Sequence, residues 1–344
     1  QWRRLARLAR GLACLVNGGS VDEAADVSGY RSRSAFSAAF AALLSGTGTI
    51  DDCLANFNDD ATTVFYDVES HTGKVFPGRD HVRQEYELLL VALYNVSELS
   101  TGVSSIDEER GTFVLTWTCP SSGFAHGQDV LRIDPVTNLV SFMVNTVRYT
   151  GTDAPLDGAL GPLAASESQY ASAMGVAWAL HATAFFAKNV SAVLAGYSES
   201  SALTFVDMLS PPSVNLSTFT GLSGVLTVTE LWWDILAPTL ADNDASTYTV
   251  WMLNASQERG FGVVLLDYDA PSSGIDHGWD VFLFNDNDTE PLIQSLVVSW
   301  MHLDEDGADD DGGDDDGGDD DGGDDVGGPG ELVDMTAVIA GGTV

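Results

Sequence analysis

The string PSSGFAHGQDV at Pro120–Val130 returns as PSSGIDHGWDV at Pro271–Val281, 151 residues further on. Pro-Ser-Ser-Gly, His-Gly and Asp-Val coincide. The match continues more weakly on both sides. ATTVFYDVE at 61–69 resembles SALTFVDML at 201–209, and LVSFMVNTV at 139–147 resembles LIQSLVVSW at 292–300. Strings shared in the same order mark an internal duplication. Copies of roughly 110–130 residues are of domain size rather than of the 20–45 residues of a solenoid repeat. The 344-residue chain is therefore expected to fold as two like domains, 34–150 and 166–303, joined by a linker at 151–165.

Each copy carries the same order of patterns. An apolar-periodic helix comes first (34–44; 169–187), then a turn and a short helix (51–58; 190–197). An apolar strand follows (62–68; 203–209), then a second long helix (78–93; 224–236). Further strands close each copy, near 99–106, 111–119, 127–133 and 139–149, and near 246–254, 260–269, 278–284 and 292–301. Helices first and a largely antiparallel meander last predict an α+β domain with a curved sheet wrapped on helices.

Charge divides the chain differently. Lys and Arg number 14 against 51 Asp and Glu, a net charge of −37, while 44% hydrophobic and 9% aromatic residues suffice for a core. That balance argues against nucleic acid binding by the chain as a whole, because phosphates repel it. No run of eighteen apolar residues offers a membrane-spanning helix. Cys14, Cys53 and Cys119 are too few for a disulfide framework and lack metal-ligand spacing, so no metal and no cofactor is expected. Asp304–Gly330 repeats Asp and Gly, which repel and resist helix, and reads as a solvated acidic tail before a short apolar end at 331–344. Residues 1–47 are instead basic, with six Arg against three acids. Gln1–Val16 is an acid-free amphipathic run that reads as a surface helix or as the remnant of an organelle-targeting segment. The compartment stays open, with the cytoplasm favoured.

With these elements in order, each copy resembles the NTF2-like superfamily, in particular its SnoaL-like branch. The carrying segments are ANFNDDATTVFYD (55–67), FPGRDHVRQEYELLL (76–90) and GQDVLRIDPVTNLVSFMV (127–144), with AGYSESSALTFVD (195–207) and GWDVFLFNDNDTEPLIQSLVV (278–298) in the second copy. The resemblance implies two cone-shaped domains, each a bent sheet closed by helices around an apolar cavity. Members act as isomerases, cyclases, dehydratases or non-catalytic association modules, so the fold alone names no activity. Candidate ligand-lining residues are Phe40, Phe65 and Trp117 in the first copy and Phe186, Phe205 and Trp232 in the second.

Ketosteroid isomerase, the best-known catalytic member, uses a carboxylate base with a tyrosine and a neutral Asp that hold an oxygen. By strand alignment Asp129 and Asp280 fall at the position of that Asp. Phe40 and Ala182 stand at the tyrosine position, and Phe65 and Phe205 at that of the base. Asp67 and Asp207, two residues on, share the strand face of those phenylalanines. What remains is a cavity with one kept acid per copy. His126 with Asp129, and His277 with Asp280, form a second candidate: a His–Asp pair at a cavity mouth for cofactor-free acid–base work. The alternative is that PSSGxxHGxD is a hairpin whose Ser and Asp cap backbone groups.

Ser20–Ala41 also resembles one helix-turn-helix of AraC/XylS-type transcription regulators, over 20–45. There Arg31, Ser32, Arg33 and Ser34 would open the recognition helix and meet DNA. That family uses two such units and only one is present.

Three readings therefore stand. The first is a protein binding a small apolar ligand in each domain, with or without isomerase- or cyclase-like turnover. The second is a DNA-binding regulator whose NTF2-like domains sense or dimerise. The third is a non-catalytic module in which the copies pair through their sheets within one chain or as a homodimer.

Overall fold

The computed structural model describes residues 48–107, 110–134, 136–137, 139–151, 158–208, 214–254, 261–285 and 289–302. The expected first helix at 34–44, the helix-turn-helix segment and the acidic tail lie outside the described residues.

Both domains are α+β, and each has the helix-then-sheet layout that the NTF2-like resemblance implies. In the first, α1 (Ile50–Leu54) is started by Thr49 and Asp52, whose side chains each accept from the other's backbone N–H. β1 (Phe57–Asp67) and β2 (Thr72–Pro77) lead to α2 (Arg79–Ala92), which begins after Gly78 at φ 85°. β3 (Ser100–Asp107), β4 (Thr112–Cys119), β5 (Phe124–Ile133) and β6 (Val140–Tyr149) follow. The second domain opens with α3 (Glu167–Tyr170), α4 (Ala173–Phe186) and α5 (Val190–Ala195). It continues with β7 (Tyr197–Met208), β8 (Val214–Thr220), α6 (Gly221–Ile235), α7 (Ala237–Asp242), β9 (Ser246–Leu253), β10 (Gly262–Ala270), β11 (Ile275–Phe284) and β12 (Ile293–His302).

The two sheets have one topology. Their orders are β2-β1-β6-β5-β4-β3 and β8-β7-β12-β11-β10-β9. The expected antiparallel meander is corrected in one respect: β1 runs parallel to β6, and β7 parallel to β12, so both sheets are mixed. β2 and β8 were not expected, because TGKVFP and VNLSTFT are short and polar. They gain order by pairing with the buried strands β1 and β7. The expected single helix over 169–187 is split. Ser172 is extended and caps α4 by accepting from the Gly175 N–H at 3.1 Å. A Cβ on Gly175 would lie 2.3 Å from the Gln169 carbonyl oxygen, so only glycine allows the two helices to meet so closely.

The repeated PSSG string makes a single 3₁₀ turn ending on left-handed Gly123 (φ 82°) or Gly274 (φ 72°). Its last serine ties the sheet end to the segment that follows the long helix. Ser122 Oγ donates to the Asn95 carbonyl at 2.6 Å and accepts from the Asn95 N–H at 2.9 Å. Ser273 Oγ accepts from the Thr239 N–H at 3.2 Å.

The sheets face each other. Val64, Tyr66, Val130 and Phe142 from the first pack with Val206, Trp251, Val263, Trp279 and Val281 from the second in one buried cluster. This explains why β1 and β7 are buried almost throughout rather than alternately. Polar groups cross the contact with partners. Gln128 accepts from the Trp279 indole N–H at 2.7 Å and donates to Ser299 Oγ at 2.9 Å. The Tyr66 hydroxyl donates to Asp267 at 2.6 Å, and His71 Nδ1 lies 2.9 Å from the same carboxyl.

Candidate functional site

The other face of each sheet, under its helices, encloses a cavity. The N-terminal cavity, of about 60 Å³, lies between α2 and strands β4–β6. The register of these strands places its polar groups. Asp129 on β5 stands opposite Leu115 on β4 and Asn145 on β6, and Trp117 stands opposite Gly127. A Cβ at Gly127 would sit 2.1 Å from the Trp117 ring. The glycine of the His-Gly pair thus lets the indole lie over the strand and donate to Asp129 at 3.3 Å. From above, α2 buries the stripe Val82, Glu85, Tyr86 and Leu89, the i, i+3, i+4, i+7 spacing of one helix face. Glu85 is 1% exposed. One of its oxygens accepts from the Thr63 hydroxyl, and the other, Oε1, has no partner. Asn145 Oδ1 has none either. Burial pushes Glu85 up to about 8, against the Thr63 hydrogen bond and helped by nearby Asp129. Burial likewise pushes Asp129 up to about 7, with the Trp117 hydrogen bond opposing.

The C-terminal cavity, of about 100 Å³, is larger and more aromatic. Trp178 and Phe185 on α4, Trp232 on α6, Leu266 and Tyr268 on β10, Phe282 on β11 and Val298 on β12 line it. The register repeats: Tyr268 faces Gly278, and Asp280 faces Leu266 and Val298. A Cβ at Gly278 would lie 2.5 Å from the Tyr268 ring. Tyr268 therefore holds the place of Trp117, Asp280 that of Asp129, and Val298 that of Asn145. The buried stripe Val225, Val228, Thr229 and Trp232 on α6 has the spacing of the α2 stripe, which puts Val228 where Glu85 stands. Burial drives Asp280 well above the usual carboxyl range, with Tyr268 pulling it partly back. Burial also lowers His181 to about 4. At neutral pH the cavity holds a neutral imidazole, and burial biases Asp280 toward its protonated form. Trp178 Nε1, His181 Nδ1, the Tyr268 hydroxyl and Asp280 Oδ1 form no well-aligned hydrogen bond.

No family model and no curated protein matches this chain. Solved structures do match, one domain's length at a time. A cystatin-like fold protein from Burkholderia xenovorans LB400 is 10% identical, with a TM-score of 0.29, covering 40% of this chain and 95% of its own. A ketosteroid isomerase-like protein from Erwinia carotovora atroseptica is 15% identical, with a TM-score of 0.25, covering 39% and 98%. An NTF-2 like protein of unknown function from Shewanella oneidensis MR-1 is 12% identical, with a TM-score of 0.26, covering 37% and 96%. At these values the likeness says nothing of activity. The strand order and the helices over each sheet define the fold.

The sequence candidates scatter over this geometry. Asp129 and Trp117 meet in the first cavity, and Asp280, Trp232 and Phe186 line the second. Phe186 is 53% exposed and stands at that cavity's rim. Phe65 packs under α2 with Phe76 and Leu89, and Phe205 packs against Trp232 with ring centroids 5.6 Å apart; neither lines either of these two cavities. Asp67 spends its oxygens on a turn, accepting from the Tyr149 N–H at 3.1 Å and from Ser70 Oγ at 2.7 Å. Asp207 lies 2.7 Å from His302 Nε2. The His–Asp pairs are not brought together. Residues three apart on a strand point to opposite faces, so His277 turns to the domain junction, 3.6 Å from Glu69, while Asp280 turns to the cavity. His126 is buried and does not line the cavity to which Asp129 belongs. Phe40, Arg31, Ser32, Arg33 and Ser34 lie outside the described residues.

The sequence reading missed Glu85, Asn145, His181 and Tyr268. For Glu85 a signal existed: it falls on the stripe that Val82, Tyr86 and Leu89 bury. For Tyr268 the signal was its place three residues before the proline of the PSS turn, matching Trp117.

Proposed function

We propose that this protein binds small, flat, mostly apolar molecules, and that the C-terminal cavity is the principal site. The observation that carries the reading is that this aromatic cavity holds buried polar atoms without a partner, the Trp178 indole N–H and His181 Nδ1. Buried polar groups that the protein leaves unpaired favour a ligand that pairs them. The Trp178 indole N–H is a donor, and burial biases Asp280 toward its protonated, donating form, so the favoured ligand carries a carbonyl or ether oxygen on a planar body. Binding is better supported than turnover. His181, which could accept a proton there, is about 3 kcal/mol weaker as a base than an ordinary histidine, from its drop from 6.5 to about 4. The same proposal treats the paired sheets as a fixed frame: within one chain they supply the pairing that two subunits would otherwise have to make.

Titrating the full chain with 1-indanone and with indane, read by tryptophan fluorescence and calorimetry, tests the reading. Indanone should bind at least tenfold more tightly than indane, and Asp280→Leu should erase the difference while indane binding persists. Equal binding of the two compounds, or binding of neither, would reject it.

A further inference from the structure

We infer that the N-terminal cavity is a second site of opposite chemistry, which takes a small organic amine in its ammonium form between Glu85, Asp129 and Asn145. The inference stands apart from the reading of the C-terminal cavity and does not require it.

The polar atoms that this cavity leaves unpaired are a carboxyl oxygen and an amide carbonyl oxygen, and both accept from a cation once the carboxyl gives up its proton. Glu85 Oε1 and Asn145 Oδ1 are buried, belong to lining residues and have no partner. A buried acceptor without a donor is costly, and a donor-rich guest removes that cost. An ammonium group offers three donors and no acceptor. Glu85 comes from α2, Asp129 and Asn145 stand opposite each other on adjacent strands, and all three line the cavity, with Asp129 near enough to raise Glu85. Phe113, Trp117 and Tyr86 supply aromatic walls, which suit a cation with an apolar body.

Charge balance points the same way. Two carboxyls are buried together here, and no Lys or Arg lines the cavity. An ionised carboxylate in such a place needs a counter-charge. Without one Glu85, raised to about 8, stays mostly protonated at neutral pH; an ammonium ion supplies it. Binding should therefore release a proton: a carboxyl O–H gives its proton to buffer, and the resulting carboxylate pairs with the ammonium.

The second cavity shows that the fold does not require this arrangement. In corresponding places it has Val228 for Glu85 and Val298 for Asn145, leaving the single acid Asp280, and its unpaired groups include the donor Trp178 Nε1. The two copies thus share a shape and differ in hydrogen-bond polarity.

The test titrates the full chain by calorimetry with benzylamine hydrochloride and with benzyl alcohol, in 0.15 M salt to screen the general attraction of an acidic protein for cations. One benzylammonium should bind per chain, at least tenfold more tightly than the alcohol. Repeats in buffers of different ionisation enthalpy at pH 7 should show proton release. Glu85→Gln should weaken the amine at least tenfold and leave the alcohol unchanged, while Asp280→Leu should change neither. Equal affinity for amine and alcohol, no binding of the amine, or unchanged amine affinity in a folded Glu85→Gln variant would overturn the inference. Should that variant fail to fold, the comparison of amine and alcohol on the unmodified chain decides alone.

Discussion

Glu85 makes the stability of the first domain depend on pH, and the size of the effect follows from its burial. Its carboxyl is displaced from 4.5 to about 8 in the folded chain, mainly by loss of water, and it is 1% exposed. Each factor of ten in proton affinity is worth ~1.4 kcal/mol, so ionising Glu85 in the folded state costs on the order of 5 kcal/mol relative to ionising it in the unfolded chain. The sign follows from linkage. A group whose folded pKa is raised contributes stability that is fully present below its unfolded value, about 4.5, and is lost as pH climbs through about 8. Glu85→Gln keeps the shape and never ionises. At pH 5 it should match the parent chain or fall slightly below it, because the Thr63 contact changes. At pH 9 it should be the more stable by several kcal/mol. Urea unfolding of both chains from pH 5 to pH 9 reads this directly, and the difference between the two curves cancels the general repulsion of a chain carrying −37 charges. A difference that stays flat with pH would refute the assignment of Glu85 as a buried, neutral acid.

Three further outcomes are expected. Gln128→Leu leaves the Trp279 N–H and the Ser299 hydroxyl without their partner in the sheet-to-sheet contact, and should cost about 1–3 kcal/mol per orphaned group in urea unfolding. Gly127→Ala drives a Cβ to 2.1 Å from the Trp117 ring; overpacking should cost about 1–3 kcal/mol and shift the tryptophan emission as the indole leaves Asp129. His71 is held above its ordinary value of 6.5, since the hydrogen bond and charge of Asp267 outweigh its burial. Its ion pair therefore stabilises fully below pH 6.5 and fades as pH rises through the raised value. His71→Ala should lower the melting temperature more at pH 6 than at pH 9, with a pH-independent remainder from its stacking on Tyr248 at 3.7 Å.

The sequence by itself determined the presence of two like domains, since the recurring PSSGxxHGxDV string spans a turn and a strand start whose glycines are dictated locally: Gly123 and Gly274 by positive φ, Gly127 and Gly278 by the aromatic ring across the ladder. It also determined most elements and the α+β class, because apolar periods of 3.6 and 2 are local properties, and it singled out Asp129 and Asp280 by their repetition. It did not reveal the parallel pairings β1–β6 and β7–β12, which join residues some eighty to a hundred positions apart. Nor did it show which of two apolar strand faces meets the helices and which meets the other sheet. That choice separated His277 from Asp280, turned Gln128 into an interface residue, and left Phe65 and Phe205 in the core and off the walls of the two cavities described. Glu85 remained hidden for the same reason. An acid in a charged helix ordinarily faces water, and only the packing of α2 onto β1 and the neighbouring strands takes that water away, turning a surface-looking residue into a neutral acid within a cavity.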